Sequence, residues 1–176
     1  LQQLHAGGVT GISSVPGGLA ILTQRYRREL AACADHLHWL TIGTAPAPAA
    51  LLADLRALLP RTRIITTYGL TEASRVCYRD MVADETHEGV GNVGRPYPGV
   101  ELRLVGERDG FGRVAVRSRM VMAGYWNRTD ATRAVLTADG SLLPPDCGRL
   151  DAEHQLHLMG RVDEVINCGG QKISPA

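Results

Sequence analysis

The chain of 176 residues has no surplus of charge of either sign: 19 Lys and Arg stand against 18 Asp and Glu, a formal net charge of +1. Nucleic acid and acidic membrane surfaces are met by a clustered basic excess, so both are excluded as expected partners. No apolar run reaches the roughly 20 residues of a membrane-spanning helix, because charged residues interrupt every candidate. Cys33, Cys77, Cys147 and Cys168 form no CxxC pair, which argues against a zinc ribbon or a thioredoxin-type site. Free thiols in a reducing cytosol are the simpler expectation. HExxH is absent as well, and the six histidines are expected at the surface or in caps. A basic n-region followed by an apolar h-region does not open the chain. The sequon Asn127-Arg128-Thr129 therefore has no secretion signal behind it, and a cytoplasmic location is expected. Leu1-Gln2-Gln3-Leu4 reads as a cut rather than a start.

What is present is a globular composition, 44% hydrophobic and 21% charged, with two textures in succession. Over residues 1–95, short apolar runs alternate with helical spacing. Val9-Thr10-Gly11-Ile12 reads as a strand, and Pro16 opens a helix running to Leu30. Trp39 to Gly43 is a buried strand. Pro48 to Leu59 is a helix with Leu51, Leu52, Leu55, Leu58 and Leu59 at 3–4-residue spacing, stopped by Pro60. Arg63 to Thr67, β-branched and short, is the next strand. This alternation predicts a parallel α/β portion with its chemistry beyond the carboxyl ends of the strands. A charged passage from Arg79 to Glu88 is expected to be irregular. From Gly99, period-2 alternation takes over in Val100–Val105 and Arg113–Arg117, with one short helix from Thr129 (its N-cap) to Leu136. Gln155–Met159 and Glu164–Asn167 are further short strands. The expected class is α/β: a parallel-sheet portion over 1–95, a small antiparallel β subdomain over 96–162, and a separate start at 163–176.

Gly89-Val90-Gly91-Asn92-Val93-Gly94 satisfies GxGxxG, but the dinucleotide motif needs a strand before it and a helix after it. An acidic loop precedes this one and Arg95-Pro96-Tyr97-Pro98 follows, so no Rossmann site is expected. Thr66-Thr67-Tyr68-Gly69-Leu70-Thr71-Glu72-Ala73-Ser74 carries more. Gly69 permits a sharp turn directly after a parallel strand, leaving Tyr68, Thr71 and Glu72 at the strand's C-terminal edge. An aromatic plane, a hydroxyl and a carboxylate suit stacking on a base, contact with a phosphate and coordination of Mg²⁺. The alternative is a strand-end turn whose Glu72 caps a following helix, with Ser74 and Arg75 in a solvated helix start. Arg25, Arg27 and Arg28 read as a solvated helix face.

Five further segments follow in order: Thr41 to Pro46, Gly112 to Tyr125 running into Trp126-Asn127-Arg128, Asp146-Cys147-Gly148-Arg149-Leu150-Asp151, Gly160 to Ile166, and Gly169-Gly170-Gln171-Lys172-Ile173-Ser174-Pro175. With the Tyr68–Glu72 segment, this series resembles the adenylate-forming superfamily of acyl-CoA synthetases, aryl-CoA ligases, peptide-synthetase adenylation domains and luciferase, over nearly the whole chain. The resemblance implies that Thr44, Ala45 and Pro46 line the adenine and acyl pocket. It further implies that Tyr68 and Gly69 meet the adenine, Thr71 the α-phosphate, and Glu72 the Mg²⁺. Asp146 and Arg161 would bind the ribose, Asp163 would be the hinge of a C-terminal lid, and Gly169 and Gly170 would line the thiol tunnel. ATP, Mg²⁺ and CoA are the implied cofactor and cosubstrates. The implied reaction is activation of a carboxylic acid as an acyl-adenylate and its transfer to the thiol of CoA, with a place in fatty acid metabolism. The alternatives are delivery to a carrier-protein phosphopantetheine, or a non-catalytic nucleotide-binding scaffold.

The sequence departs from the family pattern at Pro144-Pro145, where Thr-Gly is usual before the ribose aspartate. His154 stands in place of a hairpin Gly, which implies a different turn there. Within these 176 residues there is no Ser/Thr/Gly-rich loop ending in Pro-Lys-Gly and no lid lysine after Ala176. The chain alone is therefore expected to be inactive as a ligase, and to self-associate through surfaces left open by the cut.

Overall fold

The computed structural model describes residues 4, 6, 8–81 and 91–162, and the backbone of 166–168 and 171–173. The chain divides into two compact units: Leu1–Thr67 with Arg79–His87, and Tyr68–Tyr78 with Glu88–Ala176.

The first unit holds parallel α/β chain. Strands β1 (Gly11–Ser14), β2 (Trp39–Ile42) and β3 (Arg63–Tyr68) run parallel in that order, with Leu40 in register with Ile12 and Ile64. Between β1 and β2 lie helices α1 (Pro16–Arg25) and α2 (Arg27–Ala31), and between β2 and β3 lies α3 (Ala49–Leu58). Pro16 opens α1 because its missing N–H is one that the first helical turn would leave unpaired. The expected continuous helix to Leu30 is broken at Tyr26 (φ −128°, ψ 34°). Leu19, Leu30, Leu37, Leu40, Ile42, Leu55, Leu59 and Ile64 are each at most 1% exposed and form the core. Each such burial is worth about 1.5–3 kcal/mol, and these side chains set the register of strand against helix. Thr62 is buried beside them, with its hydroxyl donating to the Leu37 carbonyl at 2.6 Å.

Strand β4 (Cys77–Asp80) corrects the expectation of irregular chain at Arg79 and Asp80; residues 82–88 of that passage lie outside the described residues. Arg79 is buried, and Asp80 receives the Arg63 guanidinium at 2.5 Å. The Met81 N–H donates to the Ile64 carbonyl at 2.8 Å, so two charges that read as loop lie in paired chain.

The second unit is built on antiparallel strands. Strands β5 (Asn92–Pro96), β6 (Glu101–Arg108), β7 (Phe111–Arg117), β8 (Asp146–Leu150) and β9 (Leu156–Arg161) pair in the order β5-β9-β8-β7-β6. Cys77 and Tyr78 pair with Pro96 and Arg95 on β5. Strand β5 takes in Asn92, Val93 and Gly94, the last three residues of the Gly-rich run, where a dinucleotide site requires a helix to begin. Ala73, Val76, Cys77, Val114, Val116, Leu142 and Leu156 form this unit's core. Helix α4 (Thr129–Val135) includes Thr129, so the expected Thr129 cap is replaced by Arg128 at the N-cap with no side-chain bond. A separate pair, β10 (Ile166–Cys168) and β11 (Gln171–Ile173), runs antiparallel.

Candidate functional site

The loop after β3 is built on Gly69. A Cβ there would sit 2.8 Å from the Arg75 backbone nitrogen and 3.4 Å from the Ala73 carbonyl oxygen, so only glycine lets the chain double back this tightly. Leu70 and Ala73 exchange backbone bonds at 2.9 and 3.2 Å, and the Val76 N–H returns to the Tyr68 carbonyl at 2.9 Å. Arg75 closes the loop in the left-handed region at φ 55°. The next element is strand β4, so the reading of Glu72 as a helix cap, with Ser74 and Arg75 in a helix start, is overturned. The Ser74 hydroxyl instead lies 3.7 Å from the Met120 sulfur.

Asp146 is the first residue of β8, 7% exposed and in register with Arg161 on β9. The Pro144-Pro145 segment before it is fixed by its carbonyls: Arg113 donates to Leu143 at 2.9 Å and to Pro144 at 3.2 Å, and the Val162 N–H donates to Pro145 at 2.9 Å. Two stiff residues held at both carbonyls present Asp146 without the Thr-Gly turn. The Tyr68 hydroxyl donates to Asp146 Oδ2 at 2.5 Å, across 78 positions of sequence. Arg161 Nη1 lies 3.9 Å from Oδ1. Burial pushes the Tyr68 phenol well above its ordinary range, reinforced by the Asp146 hydrogen bond and charge and opposed by Arg161. Tyr68 is therefore a neutral donor at physiological pH.

Glu72 takes no part in that cluster. Its backbone carbonyl accepts the Met122 N–H at 2.8 Å, Ala73 bridges Val121, and Oε1 accepts the Tyr125 hydroxyl at 2.6 Å. That hydrogen bond first, then burial, raises the Tyr125 phenol above its ordinary value. Thr71, beside Glu72, is exposed. Among the described residues no three His, Cys, Asp or Glu converge as a metal cage. A lone carboxylate does suit Mg²⁺, which is commonly held by one or two carboxylates together with substrate phosphates.

In the first unit, Thr44, Ala45 and Pro46 are exposed and leave the carboxyl end of β2, where Ile42 is in register with Thr66 of β3. Thr44 adopts φ 78°, a conformation costly for a β-branched residue. Asp163, Gly169 and Gly170 lie outside the described residues.

The Cys77 thiol is pushed up to about 12 by burial, and burial likewise raises Cys33 and Cys147, so none of these is a nucleophilic thiolate at neutral pH. His157 is buried, which corrects the surface expectation, because its Nε2 lies 2.7 Å from Asp151 Oδ2. Asp151 Oδ1 also accepts the Gln155 and Glu153 N–H groups at 2.8 and 3.1 Å, tying the β8–β9 turn together. His154 takes φ 58° in that turn, so it adopts the left-handed conformation a glycine would supply. Sequence reasoning assigned no role to Tyr125. Its signal was only its place after Gly124 in the segment running to Trp126.

A family model described as AMP-binding enzyme matches residues 1–126. A 2-succinylbenzoate–CoA ligase of Bacillus cereus is 35% identical over 183 residues, covering 99% of this chain and 36% of that protein. A 3-[(3aS,4S,7aS)-7a-methyl-1,5-dioxo-octahydro-1H-inden-4-yl]propanoyl:CoA ligase of Mycobacterium tuberculosis is 32% identical over 140 residues, 80% of this chain and 27% of that protein. Among solved structures, the O-succinylbenzoate coenzyme A synthetase of Bacillus subtilis in complex with ATP and magnesium ion aligns with TM-score 0.82 and 30% identity, covering 99% of this chain and 36% of that chain. Its unliganded form aligns with TM-score 0.81, covering 99% and 38%. The chain thus spans about a third of the length of the curated relatives it matches. The ordered motifs, the parallel-then-antiparallel architecture and the family model over residues 1–126 agree: this chain belongs to the AMP-binding enzyme family.

Proposed function

We propose that the protein carrying this chain is an AMP-forming carboxylate–CoA ligase. In the first half-reaction a carboxylate oxygen attacks the α-phosphorus of ATP and pyrophosphate leaves, giving an acyl-adenylate. In the second, the CoA thiol attacks the acyl carbon and AMP leaves. The observation that carries this reading is the meeting of Tyr68, Asp146 and Arg161, three residues from separate motifs, around one buried carboxylate.

Asp146 holds the ribose hydroxyls on the acceptor sites that Tyr68 and Arg161 leave open, since a carboxylate offers about four lone-pair positions. Tyr68, with its hydroxyl held at Asp146, presents its ring to the adenine, and Gly69 lets the chain pass close beside it. Thr71 donates its exposed hydroxyl to the α-phosphate. Glu72 is the protein ligand for Mg²⁺, which when bound neutralises charge developing on the phosphate oxygens. Thr44, Ala45 and Pro46 line the adenine and acyl side, from the carboxyl end of β2. The segment 163–176 is hinge and lid: Asp163 rotates between the half-reactions, and Gly169 and Gly170 border the thiol path. No described helix is long and apolar enough to cross a membrane.

Two assays separate the half-reactions. Carboxylate-dependent ATP–pyrophosphate exchange reports the adenylate, and acyl-CoA formation reports the transfer. Asp163→Pro, which fixes φ at the hinge, is expected to spare exchange and cripple thioester formation. Absence of exchange across fatty, aryl and other carboxylic acids would refute the reading.

A further inference from the structure

Glu72 is a lone carboxylate on an exposed loop, and a carboxylate that rotates freely is a poor ligand for a cation demanding near-octahedral geometry. Its surroundings remove that freedom. The backbone is pinned by the Met122 N–H to the Glu72 carbonyl at 2.8 Å and by the Ala73–Val121 bridge. Tyr125 Oη then donates to Oε1 at 2.6 Å. Tyr125 is itself anchored, its N–H donating to Thr132 Oγ1 at 2.9 Å while that hydroxyl donates to the Arg128 carbonyl at 2.8 Å. Gly124, at φ 151°, lies so close to Thr132 that a Cβ would meet its side chain at 2.9 Å, which fixes the approach of the Tyr125 backbone. The chain of contacts runs from the start of α4 through Thr132 and Tyr125 to one oxygen of Glu72. Among the described residues, Oε2 has no hydrogen-bond partner.

We infer that Tyr125 is a positioning residue for Glu72 as the proposed Mg²⁺ ligand: its hydroxyl occupies Oε1 and holds the carboxylate in one orientation, leaving Oε2 as the oxygen that would take the cation. This rests on the proposed role of Glu72 and assigns a residue that supports it. The phenol acts through Glu72 alone and needs no contact with nucleotide. Second-sphere partners of this kind commonly change metal affinity 10–100-fold when removed.

The test uses Mn²⁺ as a spectroscopic substitute for Mg²⁺, titrated into the full-length protein saturated with ATP, with free Mn²⁺ read by electron paramagnetic resonance. Mn²⁺ affinity is compared for wild type, Tyr125→Phe and Glu72→Gln. Tyr125→Phe removes only the hydroxyl and keeps the ring, and a thermal melt of each variant verifies the fold. The expected result is a Mn²⁺ affinity at least 5-fold weaker in both variants. If Glu72→Gln weakens Mn²⁺ and Tyr125→Phe does not, the positioning role is refuted while the metal role of Glu72 stands. If neither changes it, the metal role of Glu72 fails and the inference fails with it. Rescue of Mn²⁺ affinity by Tyr125→His, which restores a donor, would further support positioning. A melt lowered with unchanged Mn²⁺ affinity would mark Tyr125 as structural and overturn the inference.

Discussion

Asp146→Ala removes the acceptor at the centre of the site, and the structure fixes both its consequences. The Tyr68 hydroxyl loses a partner at 2.5 Å, and Arg161 loses a carboxylate at 3.9 Å. A hydrogen bond to a charged group contributes about 1.5–3 kcal/mol, and an abandoned buried donor forfeits it in full. Against this, the variant no longer has to bury a carboxylate whose side chain is only 10% exposed. The Arg161 contact is long and partly solvated, so it adds little. The net destabilisation is set at about 1–2 kcal/mol, which at a urea dependence of about 2 kcal/mol/M moves the unfolding midpoint down by about 0.5–1 M. If Asp146 holds the ribose as proposed, the effect on nucleotide is larger: roughly 10–150-fold in affinity, read by isothermal titration. The same variant changes the Tyr68 ionisation in a defined way. Two of the influences raising it, the hydrogen bond and the charge of Asp146, disappear, while burial, the largest, remains. In an alkaline absorbance titration Tyr68 should therefore ionise at lower pH than in the wild type, yet still above an ordinary tyrosine. An unchanged urea midpoint together with unchanged nucleotide affinity would refute the assignment of Asp146 as the organising group.

Three other perturbations test separate parts of the account. Gly69→Ala should destabilise by about 1–3 kcal/mol, measured by urea unfolding, because its Cβ meets backbone at 2.8 Å and the loop cannot yield without moving Glu72. Thr44→Gly should raise stability by about 1 kcal/mol, read as a higher Tm, since relief of the φ 78° strain exceeds the entropy glycine adds to the unfolded chain. Asp151 is pushed up by burial but pulled further down by His157 and the Gln155 and Glu153 N–H groups, so its folded value lies below the ordinary carboxylate value. Its stabilisation is present above about pH 4 and is lost as pH falls through the folded value, so Asp151→Asn should flatten the acid limb of a stability–pH curve.

Local pattern made most of the fold legible. The leucines of α3, the β-branched run of β3 and the alternation in β6 and β7 each fix an element by burial of one face. It did not reveal the break at Tyr26, which has neither Gly nor Pro to mark it. Nor did it reveal β4 and β5: charge disguised the first, and glycine and proline the second. His157, expected with the other histidines at the surface or in a cap, is instead buried with its Nε2 2.7 Å from Asp151 Oδ2, a partner that no local period reveals. The loop of Tyr68, Gly69, Thr71 and Glu72 stood out as a candidate site because a turn glycine, an aromatic, a hydroxyl and a carboxylate sit within five residues after a strand. Asp146 and Arg161 were singled out through their motifs alone, because no local period links Tyr68 to a residue 78 positions away. Tyr125 shows the same limit from the other side, as a residue whose work is defined by a partner 53 positions earlier.

Whether attack falls on the α-phosphorus of ATP is tested most directly by phosphorus NMR of a reaction containing the full-length protein, a carboxylic acid, CoA and MgATP. AMP and pyrophosphate are expected in equal amounts, matched by acyl-CoA and diminished in Asp146→Ala. ADP and inorganic phosphate, or turnover indifferent to the loss of Asp146, would contradict it.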